Sequence, residues 1–371
     1  MLSIRFRWDA ATTLLLKFQR NGGPAMGIPW ARRRRRRCGH ELLGRVGPLL
    51  GAGLLASCGG RNLVVTEEND LFSSGAFRDR DYTQGLQLEA AAAGSEAAVH
   101  FSEGALRPLQ FLDPWLLASS ADSEDFTVRV DQRLYTPRDF ESPEPPPLER
   151  PYTGLLLGTI TRFRVRLDPD PDRRRDDLAT LAVTLGLTGD AALGEQTQRG
   201  VHLLANQPDA VGWDTQADTE PVLQVDLSRT RRLGFARPFG LELDAAATLG
   251  ARLGTAFTNA HGEFVLRLGN QLPRARRPWA EAPRPGHRVH LIAAIGGRAV
   301  AHDITLDGGL FDDRDLQIVS RPLVGTWRFG IEWESHGFRI AYRFRRQTKE
   351  YDSEIGNHDH GSISVGYAFA F

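Results

Sequence analysis

Strict alternation of apolar with small or polar residues is the feature of this chain that most restricts its fold. Apolar side chains recur at every second position in Leu181 to Leu187, in Trp327 to Trp333 and in Phe338 to Phe344. Successive side chains of a β-strand point to opposite faces, so a period of two predicts strands rather than helices. We expect an all-β chain of about twelve strands.

Thirteen segments carry the pattern, at about 61–69, 82–92, 125–136, 153–167, 178–189, 221–232, 239–250, 259–270, 287–297, 315–324, 325–335, 337–347 and 361–371. Bacterial outer-membrane barrels have an even number of strands, so one segment is surplus, and 315–324 fits the pattern least well.

Alternation by itself fits both a soluble β-sandwich and a transmembrane antiparallel β-barrel. The segments have about the 9–11 residues that a tilted membrane-spanning strand needs. The last segment places Ile363, Val365, Tyr367, Phe369 and Phe371 on one face, and a terminal aromatic residue is the feature that bacterial barrel-assembly machinery reads. We therefore predict the barrel, with the apolar set facing lipid and the polar set lining the interior.

The first 57 residues have the pattern of an export signal. A basic block, Arg32 to Arg37, precedes the weakly charged segment Leu42 to Ser57 and then Cys58. This order predicts a secretory signal peptide, with Met26 as an alternative start. Leu55 to Cys58 also resembles a lipobox, although a chance cysteine near an ordinary cleavage site explains it equally. We expect a leader over 1–57 and one barrel domain over 58–371, in the bacterial outer membrane.

Net charge is informative only after the leader is separated. The chain has 46 basic and 46 acidic residues, of which the leader holds 11 and 2, so residues 58–371 hold 35 and 44. This balance gives no general case for a nucleic-acid partner. The two cysteines, Cys38 and Cys58, exclude a disulfide scaffold.

One segment between strands departs from the period of two. Residues 190–207 fit a short helix, on which Gln198 and His202 are four positions apart and share a face. A helix that aligns these two side chains between strands is a candidate for chemistry.

Four local motifs occur in order along the chain. They are Glu68-Asn69-Asp70, Asp81-Tyr82-Thr83-Gln84-Gly85, Arg150-Pro151-Tyr152-Thr153-Gly154, and Gly194-Glu195-x-x-Gln198-x-x-x-His202 followed by Gly212-Trp213-Asp214. With the final strand, this set resembles the LpxR family of outer-membrane lipid A 3-O-deacylases over about residues 62–371. The resemblance implies a twelve-stranded barrel that hydrolyses the ester-linked acyloxyacyl chain at the 3-position of lipid A, with Ca²⁺ as cofactor.

The resemblance also assigns the site residues. It implies Asn69 and Asp70 on the first strand, Thr83 on the second, and Gln198 and His202 on the helix. A neutral His202 can take a proton from water, and Gln198 can orient that water or the ring. Asp70 and Asn69 offer the oxygen ligands that Ca²⁺ prefers.

Two details of this assignment stay open at the level of sequence. The family's lysine has no counterpart, and Arg138 or Arg150 could supply its charge. Thr83 shares its strand parity with Gly85 and Gln87, so we expect it to point inward.

The competing hypothesis is a non-enzymatic outer-membrane barrel, either a pore or a structural protein. On the leading hypothesis the partners are lipid A or lipopolysaccharide and the outer membrane, and we expect a monomer. The cluster His358-Asp359-His360 fits a turn or loop before the last strand better than a metal site. Tyr152 and Trp213 fit packing positions or the membrane interface better than catalysis.

Overall fold

Twelve antiparallel strands close into one barrel, as the alternation predicts. The computed structural model describes residues 62–74, 81–91, 96–115, 121–144, 146–170, 172–273, 286–312 and 316–368. The leader and Cys58 lie outside these residues, as do Phe369 and Phe371 of the last predicted strand. Each strand pairs with its neighbours in sequence, and β1 pairs with β12 from Asn62 opposite Ala368 to Asn69 opposite Gly361.

The strands are β1 Asn62–Asn69, β2 Asp81–Ala91, β3 Ser123–Thr136, β4 Thr153–Arg166, β5 Asp177–Thr188, β6 Pro221–Ala236, β7 Glu242–Gly254, β8 Phe257–Gly269, β9 His287–Asp303, β10 Leu323–Ser335, β11 Phe338–Gln347 and β12 His358–Ala368. The predicted segment 315–324 is the surplus one. Its residues 316–322 lie outside the strands, and β10 begins only at Leu323.

The two faces of the wall distinguish a membrane barrel from a soluble sandwich. Large apolar side chains are exposed on the outside, among them Leu185, Leu249, Ile295, Phe329 and Ile340. Charged side chains, among them Glu68, Arg133, Glu263 and Arg328, line cavities inside. An apolar exterior around a polar interior is the arrangement that lipid requires, because a polar wall facing hydrocarbon is destabilising.

Strand β4 reverses the expected faces at its far end. The alternation suggests that Phe163 and Val165 face lipid, but the register with β3 and β5 turns them inward, where they pack on Leu178. Arg162 and Arg164 consequently point outward. The prediction is wrong here because the pairing with β3 and β5 sets the register of β4 along its whole length. The faces at this end of the strand therefore follow from that register and not from the local apolar pattern.

The described part of the chain contains four α-helices: α1 Leu71–Ser74, α2 Glu96–Leu106, α3 Gly194–Ala205 and α4 Ile304–Asp307. The predicted helix over 190–207 is α3, preceded by a 3₁₀ turn at Gly189–Ala192. A second 3₁₀ segment, Arg107–Trp115, extends α2, which the sequence pattern did not predict. Among the residues described, none of the helices has the length and apolar character to cross a membrane.

The connections define two ends of the barrel. We call the end with the β1–β2, β3–β4, β5–β6, β7–β8, β9–β10 and β11–β12 connections the loop rim. The other end, where β1 starts and β12 finishes, is the terminal rim. Helices α1, α3 and α4 belong to the loop rim, and α2 belongs to the terminal rim.

Candidate functional site

All of the sequence-predicted site residues lie at the loop rim. Asn69 ends β1, Asp70 follows it, Thr83 is on β2, and Gln198 and His202 are on α3; each side chain is at least 95% buried. The β1–β2 hairpin and α3 thus carry two halves of one candidate site.

The β1 half faces outward, towards the membrane. Along β1, Leu63 and Val65 are exposed, and period two places Glu67 and Asn69 on the same face. Asn69 lies opposite Gln84 of β2. Glu67 hydrogen-bonds the Gln84 side chain, so its carboxylate reaches towards the Asn69–Gln84 pair.

Sequence reasoning missed Glu67. The sequence could have indicated it, because a carboxylate at a lipid-facing position of a barrel strand is destabilising unless it has a functional role. Its cross-strand neighbours Leu86 and Ile363 are both exposed apolar residues.

A short helix fixes the backbone around Asp70. The amide and hydroxyl of Ser73 donate to the Asp70 carbonyl, at 3.0 and 2.6 Å, and the hydroxyl also reaches the Asp359 carbonyl of β12. Phe72 packs over Gly361, where an added Cβ would come 2.6 Å from the Phe72 Cβ. Helix α1 is therefore held against the outer face of β12.

Thr83 does not point inward as predicted. A bulge between Tyr82 and Gln84 removes Thr83 from the regular pairing, and its hydroxyl meets that of Thr136 at 2.6 Å. Thr136 shares the outward face of β3 with Leu134. A bulge shifts the alternation by one residue, so strand parity counted from Gly85 gives the wrong face.

Helix α3 docks on the same outer face, beside β3. Leu193, the residue before the helix, has the left-handed conformation, with φ of 58°. At Gly194 an added Cβ would lie 2.6 Å from the Trp213 ring and 3.2 Å from Leu134, so glycine permits this close approach. Leu134, Tyr152, Ala210 and Trp213 form the buried cluster beneath the helix. The packing role expected for Tyr152 and Trp213 is confirmed.

The two aligned side chains of α3 are held by specific hydrogen bonds. The Trp213 indole N–H donates to Gln198 Oε1 at 2.7 Å, and Gln198 Nε2 has no partner among the described residues. His202 Nδ1 lies 2.5 Å from the Pro208 carbonyl oxygen. A carbonyl only accepts, so Nδ1 carries a proton, and in the neutral ring Nε2 carries the lone pair. The Phe140 ring packs edge-on against the imidazole at 5.9 Å.

The two halves are connected through β2 and β3. Thr83 is bonded to Thr136, and two residues along the same face Leu134 contacts the start of α3. Glu67, Asn69 and Thr83 therefore lie on the outer wall of the barrel, on strands between α1 and α3.

The donor set at β1 suits a hard cation. Asp70 and Asn69 supply buried carboxylate and amide oxygens without nitrogen or sulfur ligands. Across the described residues, no three His, Cys, Asp or Glu side chains are grouped to hold a metal. A cation here would depend on backbone and amide oxygens in addition to Asp70.

The His358-Asp359-His360 cluster is not a loop, contrary to the sequence interpretation. It opens β12, with both histidines buried on the inner face and Asp359 outside, bonded to Arg346. The pairing with β11 extends the strand further than the turn residues Asn357 and Gly361 suggest.

The two arginines considered as replacements for a lysine differ sharply. Arg150 is fully buried, donating to Glu350 at 2.5 Å and to the Thr305 hydroxyl at 2.6 Å. Arg138 lies in the exposed β3–β4 loop and pairs with Glu149 at 3.2 Å. Of the two, only Arg138 can reach a ligand outside the barrel.

Comparison with known proteins gives one family match. The model of the family described as outer membrane protein LpxR matches residues 51–369. None of the curated proteins matches the chain. Among solved structures, LpxR from Salmonella typhimurium is similar with a TM-score of 0.65 at 16% identity, covering 83% of this chain and 100% of that one. The translocator domain of the autotransporter NalP from Neisseria meningitidis gives a TM-score of 0.36 at 11% identity, over 89% and 95% of the two chains.

Proposed function

This chain belongs to the LpxR family of outer membrane proteins, and on that premise we propose that it is a lipid A deacylase. The reaction is hydrolysis of the ester that links the acyloxyacyl chain to the 3-position of lipid A. The barrel that carries the candidate site closes within one chain.

The outward orientation of the candidate site carries this proposal. Outer-membrane barrels keep their chain ends in the periplasm, so the loop rim faces the cell exterior. Lipid A occupies the outer leaflet, beside the outer wall at that rim. The exposed Val65 and Leu86 lie directly below the site, so an acyl chain bound there stays in an apolar environment.

His202 acts as the general base in this proposal. Its Nδ1–H donates to the Pro208 carbonyl, so in the neutral ring Nε2 carries the lone pair that accepts a proton from water. The water attacks the ester carbonyl, and the proton returns to the leaving alkoxide. Gln198 Nε2, with its oxygen held by Trp213, is a donor available to position the water or the carbonyl oxygen.

Asp70 and Asn69 would hold Ca²⁺, with backbone carbonyls completing the shell. When bound, the cation supplies positive charge next to the oxyanion that develops on the ester. Thr83, bonded to Thr136, offers a hydroxyl on the same outer face. Arg138 is the residue that we assign to the lipid A phosphate in place of a lysine, because a guanidinium fork suits phosphate oxygens.

Expression in a bacterial host of known lipid A composition tests the proposal. Mass spectrometry of lipid A, with calcium in the medium, compares the native protein with His202→Ala and with His100→Ala. His100 is an exposed histidine at the terminal rim and serves as the matched control. We expect lipid A to lose one acyloxyacyl group with the native protein and with His100→Ala, but not with His202→Ala.

Unchanged lipid A in hosts that differ in acylation and phosphorylation would contradict the proposal, provided that the protein migrates as a folded barrel. Heat-modifiable gel migration gives that check. The alternative, a non-enzymatic barrel, predicts unchanged lipid A with every variant.

A further inference from the structure

A row of three basic side chains crosses the inner wall of the barrel on neighbouring strands. Arg328 of β10 lies directly opposite Arg345 of β11, and Arg345 lies directly opposite His360 of β12. All three side chains line one interior cavity of about 440 Å³. We call these three residues the basic row.

Two arginines in directly opposite positions repel each other. Like charges that face each other across a pair of strands are destabilising. Arg298 of β9 lines the same cavity and adds to the repulsion at Arg345. Glu68 and Glu263 act on Arg345 in the opposite direction, but neither forms an ion pair with it. The protein therefore offsets the repulsion only from a distance.

Arg345 is the member of the basic row whose charge is not matched by a direct contact. Within the ranges that the structure describes, its guanidinium makes no ion pair or hydrogen bond, and its Nε is buried. The other two members also have nitrogens without a hydrogen-bond partner there. Arg328 donates to Glu263 through a terminal nitrogen while its Nε is buried and unbonded, and His360, which is 4% exposed, has no partner for Nδ1. Buried polar groups left in this condition cost free energy.

The carboxylates around the cavity are engaged with other groups. Each of the four that line it accepts a hydrogen bond from another side chain: Glu68 from Tyr82, Glu263 from Arg328, Glu350 from Arg150 and Arg298, and Asp303 from Thr305. None of the four bonds Arg345, so an anion that enters the cavity can match the charge of this arginine.

We propose that the basic row binds the phosphate group of a small soluble ligand, either inorganic phosphate or an organic phosphate. A guanidinium fork can donate two hydrogen bonds to phosphate oxygens, and an imidazole always carries at least one N–H. A tetrahedral phosphate offers oxygens to groups on different strands, and its negative charge offsets the repulsion between Arg328 and Arg345. This site lies inside the barrel, so it is independent of the proposed deacylase activity on the outer wall.

Isothermal titration calorimetry of the complete barrel, folded in detergent in a phosphate-free buffer, tests the proposal. Inorganic phosphate, glucose 1-phosphate, glucose and acetate are titrated at equal ionic strength. We expect at least one of the phosphates to bind more tightly than acetate, and glucose not to bind. Tighter binding of inorganic phosphate would identify the free ion as the ligand, and tighter binding of the ester an organic phosphate. Arg345→Gln should weaken phosphate binding by about tenfold or more.

Arg343→Gln is the matched control. Arg343 lies two residues from Arg345 on the same inner face of β11, but it lines the second cavity and pairs with Glu332. This variant removes the same charge and should keep the native affinity for phosphate.

The proposal would be overturned by equal weakening in the two variants, by an unchanged affinity in Arg345→Gln, or by the absence of phosphate binding to the native protein. Binding of acetate or glucose as tight as that of the phosphates would overturn it as well. Arg345→Gln removes no ion pair between described residues and relieves a contact between like charges. It should therefore fold at least as well as the native protein, which heat-modifiable gel migration checks.

Discussion

Two hydrogen bonds set the chemistry available to the side chains of α3. The Pro208 carbonyl fixes the tautomer of His202, and the Trp213 indole fixes which end of the Gln198 amide points into the site. Neither bond can be derived from the spacing of Gln198 and His202, because both partners lie beyond the helix.

Trp213→Phe tests the second of these bonds. The phenyl ring preserves much of the packing against Tyr152 but cannot donate to Gln198 Oε1, so the amide loses its fixed orientation. We expect deacylation in isolated outer membranes to fall about tenfold, the cost of roughly one hydrogen bond of about 1.4 kcal/mol, without loss of the folded barrel on gels. Trp333→Phe, at an exposed position on β10, should leave activity unchanged. Equal activity of the two variants would show that the indole N–H is not needed.

Glu67 and Glu68 form a natural matched pair for the cation hypothesis. They are adjacent, yet Glu67 faces outward beside Asn69, whereas Glu68 faces the interior and accepts a hydrogen bond from Tyr82 at 2.5 Å. Glu67→Gln removes a negative charge near the proposed ligands Asp70 and Asn69. We expect it to raise the calcium concentration needed for half-maximal activity several-fold, while Glu68→Gln does not. Chelation of calcium should abolish activity in both, and identical calcium curves would exclude a role for Glu67.

At the scale of elements, the docking of α3 depends on one glycine. An alanine Cβ at Gly194 would overlap the Trp213 ring, whereas at Gly200, on the same helix, an added Cβ meets nothing within 4 Å. Gly194→Ala should destabilise the packed helix by about 1–3 kcal/mol and lower activity strongly. Gly200→Ala should retain activity and stabilise the helix by about 0.5–1 kcal/mol. Lipid A masses and limited proteolysis of the β5–β6 connection measure both effects, and equal behaviour of the two variants would contradict this account.

Strand number, the barrel and the helix over 190–207 could all be predicted from the alternation, since each rests on a local period. The face on which an individual residue lies could not be predicted wherever a bulge or the pairing with a neighbouring strand determines it. A bulge turns Thr83 outward, and pairing with β3 and β5 turns Phe163 inward. Helix α2 was missed because its apolar residues, such as Leu106, pack on the outer wall of the barrel. The sequence pattern does not show which part of the wall a helix will contact. Within the site, motif and resemblance gave Asn69, Asp70, Gln198 and His202, but not Glu67.

At the scale of the whole molecule, a buried ion-pair cluster ties the loop rim together. Arg150 of the β3–β4 connection bonds Glu350 of the β11–β12 connection and Thr305 of α4, and Tyr351 donates to Asp81 at 2.8 Å. Burial opposes ionisation, yet Arg150 and Arg298 keep the pKa of Glu350 below its ordinary value. Connections from opposite sides of the barrel thus depend on one another.

Stability should depend on pH through Glu354, at the edge of this cluster. Burial, with a further contribution from Asp81, raises its pKa from 4.5 to about 7. Between these two pH values the unfolded chain has released the proton that the folded chain still holds, so the folded state loses stability as pH rises through this window. We expect the temperature of the heat-modifiable transition to fall between pH 5 and pH 8, and Glu354→Gln to reduce that fall. Glu141→Gln, at an exposed loop carboxylate, should follow the native curve; a Glu354→Gln curve identical to the native one would contradict the assignment.

A barrel of twelve strands is intermediate between small barrels filled by side chains and wide porins, so its interior decides between an enzyme and a pore. Here Glu332 of β10 binds Arg339 and Arg343 of the neighbouring β11 on the inner wall, and Asp244 of β7 binds Arg267 of β8 and Arg232 of β6. These pairs leave cavities of about 440 and 410 Å³, and the Arg150 cluster lies across the loop rim.

We therefore expect no steady current when the purified protein is inserted into planar lipid bilayers. Arg150→Ala should produce intermittent openings, because it removes the cation that holds Glu350 and Asp81 together. Breaking a buried pair from one side costs about 3–5 kcal/mol, so folding of this variant is checked by its gel migration. Arg138→Ala, at the exposed loop arginine, removes the same charge without touching the cluster and should stay closed. A steady open conductance in the native protein would instead favour the pore, and in that case His202→Ala should leave both conductance and lipid A unchanged.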